Sequence, residues 1–112
     1  MAGEHDLTPE RVRELLAAGE IQLIDVREPH EWEAGRIEGA RHVELTQLSS
    51  EAASIDRERP VVFQCRIGAR STMAAEAFRA SGYEAFNLGG GILAWVQAGL
   101  PLIPDDGRVA DH

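Results

Sequence analysis

Lysine is absent from this chain: all 11 of its basic residues are arginine, set against 19 acids for a formal charge of -8. Without lysine there is no side-chain amine for Schiff-base chemistry, and no phosphate-reaching residue for a P-loop. The acidic excess disfavours nucleic acid and anionic membrane surfaces as partners. Cysteine occurs once, at Cys65, which excludes an intramolecular disulfide framework. No stretch approaches the roughly 18 apolar residues needed to span a bilayer. The opening residues, "MAGEHDLTPE", are polar and acidic and do not read as a signal segment. These absences together set the expectation of a cytoplasmic protein with no membrane and no nucleic-acid partner.

At 112 residues the chain has the length of one domain, able to bury about 65% of its unfolded surface in a single core. Its pattern alternates between helix and strand. Thr8, Pro9 and Gly19 punctuate a first helix with Val12, Leu15 and Leu16 on its apolar stripe. "IQLIDV" reads as a strand, and "REPHEWEAGRIEGA" as a polar loop with one helical turn. "RHVEL" reads as a second short strand and "TQLSSEAASI" as a short helix. "RPVVFQC" is the clearest strand, short, β-branched and unalternated, as in a strand covered on both faces. "STMAAEAFRASG" predicts a helix, "YEAFNL" a strand, and "GGILAWVQAG" a last helix entered through a glycine turn. The order predicts an α/β fold, a mostly parallel central sheet with helices on both faces. The domain is expected to fill 1–112, with its core at about 7–103 and a polar, frayed tail at 104–112.

In such sheets ligands bind beyond the carboxyl ends of the strands, where Cys65 stands, directly after "VVFQ". The residues "RIGA" that follow suit a tight turn whose N–H groups face the sulfur, with Gly68 permitting the bend. The start of the next helix adds positive potential, favouring an anion such as a thiolate, the reactive form of the thiol. Arg66 and Arg70 supply further positive charge for an incoming oxyanion, with Arg70 also suited to tying the loop to a carboxylate. The bland alternative is a buried cysteine that serves only as a small hydrophobe.

"CRIGARS", residues 65–71, resembles the active-site loop of the rhodanese family of sulfurtransferases. "LIDVREPHEWEAGRIEGA", residues 23–40, is similar to that family's first signature, and "LGGGILAWVQAGLP", residues 88–101, to its closing one. Three departures, Arg36, Glu38 and Glu44, fall where histidine, proline and proline are common. The resemblance implies a rhodanese-like fold and a sulfur relay of the thiosulfate sulfurtransferase type. In it Cys65 is the catalytic nucleophile and carries a persulfide, while Arg66, Ile67, Gly68, Ala69 and Arg70 form the substrate-binding loop. Ser71 and the pair Asp25 and Arg27 support that loop. The implied partners are a small-molecule sulfur donor, a thiol or cyanide acceptor, and a persulfide-exchanging protein as an alternative donor. No metal and no organic cofactor is implied. The rival within the same fold is phosphate chemistry, but similar cysteine phosphatases place five residues between cysteine and arginine, and here Cys65 and Arg70 enclose four. A second functional class stays open, a non-enzymatic or partner-dependent module that carries persulfide sulfur or only binds.

The remaining candidates have plainer readings. Trp95 and Trp32 are expected in the core with the indole N–H on a backbone carbonyl. Residues 89–91, "GGG", lack a dinucleotide-binding spacing and are expected to let the last loop approach the site. His5, His30, His42 and His112 share no metal-ligand spacing.

Overall fold

The computed structural model describes residues 3–112. Five parallel strands form one sheet in the order β1-β5-β4-β2-β3: β1 (Asp6–Leu7), β2 (Gln22–Asp25), β3 (Arg41–His42), β4 (Val61–Gln64) and β5 (Ala85–Leu88). Helices α1 (Pro9–Ala17), α2 (Pro29–Ala34), α3 (Leu48–Glu51), α4 (Ala69–Ala80) and α5 (Gly91–Gln97) make the connections, and short 3-10 turns flank α3. Helix α1 starts where its sequence signals place it. The Thr8 hydroxyl accepts from Arg11 N–H at 3.1 Å, and Pro9 occupies the first turn.

The unalternated run of β4 follows from its place at the centre of the sheet. Val61, Val62 and Phe63 are all fully buried because each face of the strand has its own core. On one face Phe63 and Cys65 pack with Ala74, Ala75 and Phe78 of α4 and with Ile55 and Tyr83. On the other, Val62 packs with Val12 of α1, Leu23 of β2, and Ile92 and Trp95 of α5. The Trp95 indole N–H donates to Pro101 O at 2.8 Å, as expected of a tryptophan that packs in the core.

Several local expectations are corrected. Asp6 and Leu7 form an edge strand on β5 rather than the approach to α1. The helical turn expected in the polar loop after β2 is present and extends over six residues as α2. Strand β3 is two residues long, with Val43 to Leu45 outside it. Helix α4 begins at Ala69, so Ala69 and Arg70 belong to its first turn and not to the preceding loop. The tail is not frayed: Arg108 N–H donates to Ala34 O at 2.9 Å, and Ala110 is buried. Gly35 makes that docking possible, since a Cβ there would stand 2.6 Å from Arg108 N.

Candidate active site

Cys65 lies one residue beyond the carboxyl end of β4, and 1% of its surface is exposed. Its sulfur accepts the Gly68 N–H at 3.1 Å, a bond that the turn makes possible because Gly68 adopts φ +113°. Ser71, fully buried in the first turn of α4, places its hydroxyl oxygen 3.4 Å from the sulfur. The amino end of α4, a helix of 12 residues, therefore faces the sulfur with its unpaired N–H groups and partial positive charge. Ile67 is exposed at the outer lip of the turn, and Ala69 is exposed beside it.

The turn is held from behind by α5. Ile92 N–H donates to Cys65 O at 2.8 Å, and Leu93 N–H to Arg66 O at 3.1 Å. This approach requires glycine at position 91. The residue has φ +68°, and a Cβ on it would overlap Arg66 O and sit 2.6 Å from Cys65 O. The three-glycine segment thus brings the last loop against the cysteine turn, as its composition suggested.

The two arginines of the turn have different partners. Arg70 forms a two-point contact with Glu31 of α2, Nη1 to Oε1 at 2.8 Å and Nη2 to Oε2 at 3.1 Å. Glu31 is fully buried and also accepts Glu28 N–H at 3.0 Å. Burial opposes the Glu31 charge, but the Arg70 bond, the Glu28 N–H and the nearby Arg70 and Arg27 charges outweigh it, and the carboxyl titrates below its ordinary 4.5. The Arg70 guanidinium is in turn held above its ordinary value, first by its bond to Glu31. Arg66 reaches outward, its Nη2 3.6 Å from Asp111 of the tail, while its buried Nε has no protein partner.

Beneath the turn, Arg27 and Asp25 form a fully buried pair, with Arg27 Nε 2.9 Å from Asp25 Oδ1 and Nη2 2.7 Å from Oδ2. Arg27 Nη2 also donates to Gly35 O at 2.8 Å and so fixes the end of α2. His42 stands near this pair, its Nε2 2.7 Å from Arg27 O and its ring stacked on Trp32 at 4.9 Å. Trp32 is half-buried under Arg36, whose guanidinium carbon lies 5.2 Å from the ring centre. Arg36, one of the departures in the first signature, therefore packs on the rim beside α2.

Sequence reasoning missed Glu31, Asn87 and Asp6. Asn87 is buried on β5, accepts the Ser71 hydroxyl through Oδ1, and donates to Asp6 Oδ1 at 2.9 Å. Glu31 falls inside the first signature without being singled out there; Asn87 and Asp6 lie outside all three motifs, and the parallel register that sets Asp6 beside Asn87 is what brings them to the site. Glu28, Glu31 and His112 also converge, with one ligand atom from each within 4.8 Å of the others. Both Glu31 oxygens are held by Arg70, so the cluster has no free central carboxylate to offer an ion.

The Glu31–Arg70 pair leads to a prediction about pH. Because the folded carboxyl titrates below its ordinary value, the pair's contribution is fully present above about pH 4.5 and is lost as pH falls through the folded value. Glu31→Gln is expected to lower stability by about 1–3 kcal/mol at neutral pH, the cost of a lost charge-assisted bond. The gap between wild type and variant should narrow as the solution is acidified below pH 4.5. Urea denaturation across that range measures it, and a gap independent of pH would rule the pair out as the anchor of the turn.

A parallel α/β sheet with a buried cysteine in a glycine turn at the end of its central strand defines a class, that of small domains that hold a thiol at the amino end of a helix. The rhodanese-like domain model matches residues 8–98, and the chain belongs to that family. It is 34% identical over 105 residues to a protein named sulfurtransferase from Allochromatium vinosum, covering 92% of this chain and 98% of that one. It is 33% identical over 90 residues to the thiosulfate sulfurtransferase GlpE of Pseudomonas aeruginosa, covering 80% of this chain and 81% of GlpE. The Bacillus subtilis protein YqhL is 45% identical over 75 residues, 66% of this chain, and the match spans 60% of YqhL's length. A rhodanese-related protein from Thermoplasma volcanium shares the fold at a TM-score of 0.82 and 24% identity, over 88% of this chain and 97% of that one. The family and its named relatives support sulfur transfer as the general activity. No helix among the described residues is long and apolar enough to cross a membrane.

Proposed function

We propose that this chain is a sulfurtransferase in which Cys65 takes a sulfane sulfur from thiosulfate or a persulfide donor and passes it to cyanide or a thiol. The observation that carries the reading is the Gly68 N–H at 3.1 Å from the Cys65 sulfur, in a turn closed by the amino end of α4. These groups favour charge on sulfur in both resting and loaded states.

In the first step the Cys65 thiolate attacks the outer sulfur of thiosulfate. A new S–S bond forms, the old one breaks, and sulfite leaves with its electron pair. In the second step cyanide attacks the outer sulfur of the persulfide. Thiocyanate departs and the thiolate returns, so the cycle is covalent and ping-pong. Arg66 meets the oxyanion end of the donor, a role supported by its buried Nε, which has no protein partner. Ile67, Gly68 and Ala69 shape the turn around the transferred sulfur, and Arg70, Ser71, Asp25 and Arg27 hold it in position.

Intact mass after thiosulfate treatment tests the reading. Loading adds about 32 Da, one sulfur atom, and cyanide removes it. No gain with thiosulfate but a gain with a persulfide-bearing protein would replace the small donor with a protein one. No gain with either would reject the proposal.

The arginines should separate kinetically. Arg66→Ala is expected to raise KM for thiosulfate about tenfold with a smaller change in kcat, because it removes a ground-state contact to the anion. Arg70→Ala should lower kcat as well, since the turn loses its tie to Glu31 and the Gly68 N–H moves off the sulfur. Steady-state kinetics at fixed ionic strength measure the split, and matching profiles for the two variants would refute it.

A further inference from the structure

One proton has several acceptors at the base of the cysteine turn. The Ser71 hydroxyl lies within reach of Asn87 Oδ1, of the Cys65 sulfur at 3.4 Å, and of Gly68 O at 3.3 Å. A hydroxyl has a single hydrogen and two lone pairs, so it donates to only one of the three at a time. Asn87 lies closest, and the direction of its amide is fixed from outside. Its Nδ2 donates to Asp6 Oδ1 at 2.9 Å, and an ionised carboxylate only accepts, so Asn87 Oδ1 is the atom that faces Ser71. Ser71 is fully buried and Asn87 nearly so, and their bond is shielded from competing water.

We propose that Asn87, oriented by Asp6, is a positioning residue for the Cys65 sulfur and acts through Ser71. While Cys65 is a thiol, the Ser71 proton rests on Asn87 Oδ1 and a Ser71 lone pair faces the S–H. Once the sulfur is an anion, the hydroxyl turns about its C–O bond and donates to it from the same oxygen position. Without Asn87, the hydroxyl settles on Gly68 O, the remaining acceptor in the turn, and its oxygen is no longer held beside the sulfur. The chain Asp6–Asn87–Ser71–Cys65 joins the edge strand β1 to the central strand through β5 and α4. In this way a residue on the edge strand bears on a thiol two strands away.

The inference rests on Cys65 being the reacting group of the proposed sulfur transfer, and its test does not depend on the donor. The rate of Cys65 alkylation by iodoacetamide at neutral pH, followed by intact mass, reads the sulfur directly. Ser71→Ala and Asn87→Ala are each expected to slow it by about ten- to a hundredfold, the range for one lost hydrogen bond to a charged acceptor. The double variant should be no slower than either, because the two residues act as one unit. Asp6→Asn keeps an acceptor for Asn87 Nδ2 and is expected to hold the wild-type rate, whereas Asp6→Ala frees the amide to turn and should fall to the rate of Ser71→Ala. Multiplicative losses in the double variant, an unchanged rate in Asn87→Ala, or equal rates in Asp6→Asn and Asp6→Ala would each overturn the proposal. If Asn87→Ala does not fold, as circular dichroism would show, the two Asp6 variants against Ser71→Ala decide it. A wild-type chain that fails to take sulfur from thiosulfate yet shows this alkylation pattern would remove the donor assignment and leave the positioning role standing.

Discussion

Cys65→Ser is expected to leave no measurable sulfur transfer from thiosulfate to cyanide while the domain stays folded. Serine keeps an acceptor for the Gly68 N–H and fits the buried site, so the turn retains its shape. What is lost is the nucleophile: a hydroxyl at neutral pH does not attack sulfane sulfur, and no other thiol exists in the chain to replace it. Thiocyanate formation and intact mass measure the loss, and the thermal midpoint reports the fold. A serine variant that still turns over at the wild-type rate would remove Cys65 from the mechanism and with it the whole assignment.

The largest expected effect on stability belongs to Arg27→Met. The guanidinium is fully buried and is the only cation bonded to the Asp25 carboxylate among the described residues. Removing it leaves a buried charge without its partner, a change that costs about 3–5 kcal/mol. In a domain of this size that corresponds to a fall in thermal midpoint of more than about 10 °C. Pairing the change with Asp25→Leu removes the stranded charge and is expected to recover much of the loss, since buried ion pairs are replaceable by apolar groups of similar volume. Chemical denaturation of both variants measures the difference. A loss below about 1 kcal/mol in Arg27→Met alone would show that water reaches Asp25 and that the pair is not a buried anchor.

What the sequence made legible were features encoded by neighbours along the chain. Thr8 and Pro9 mark the start of α1 because capping is a contact over three residues. "VVFQ" marks the central strand because burial on both faces suppresses alternation. The cysteine turn was legible because Cys65, Gly68 and Ser71 are close in sequence as well as in space. The hidden features are those made by distant segments. Strand β1 is two residues long, too short to carry a period, and exists through pairing with β5 some 81 residues away. Glu31 meets Arg70 across 39 residues, and nothing local in "EPHEWE" distinguishes it from a solvated acid. The tail looked frayed because it is polar, yet Gly35 leaves room for its backbone to dock and Ala110 to be buried.

The seating of the cysteine turn on α5 has a consequence for the newborn chain. Residues 65 and 66 are made early, but the amides that grip their carbonyls belong to Ile92 and Leu93. A ribosome must add more than two dozen residues after the cysteine, and these must clear the exit tunnel, before the turn can take its final shape. Until then the carbonyls of residues 65 and 66 lack the partners that hold them in the finished domain. Translation order therefore leaves the cysteine turn among the last features of the domain to be completed, when nearly the whole chain is there to shelter it.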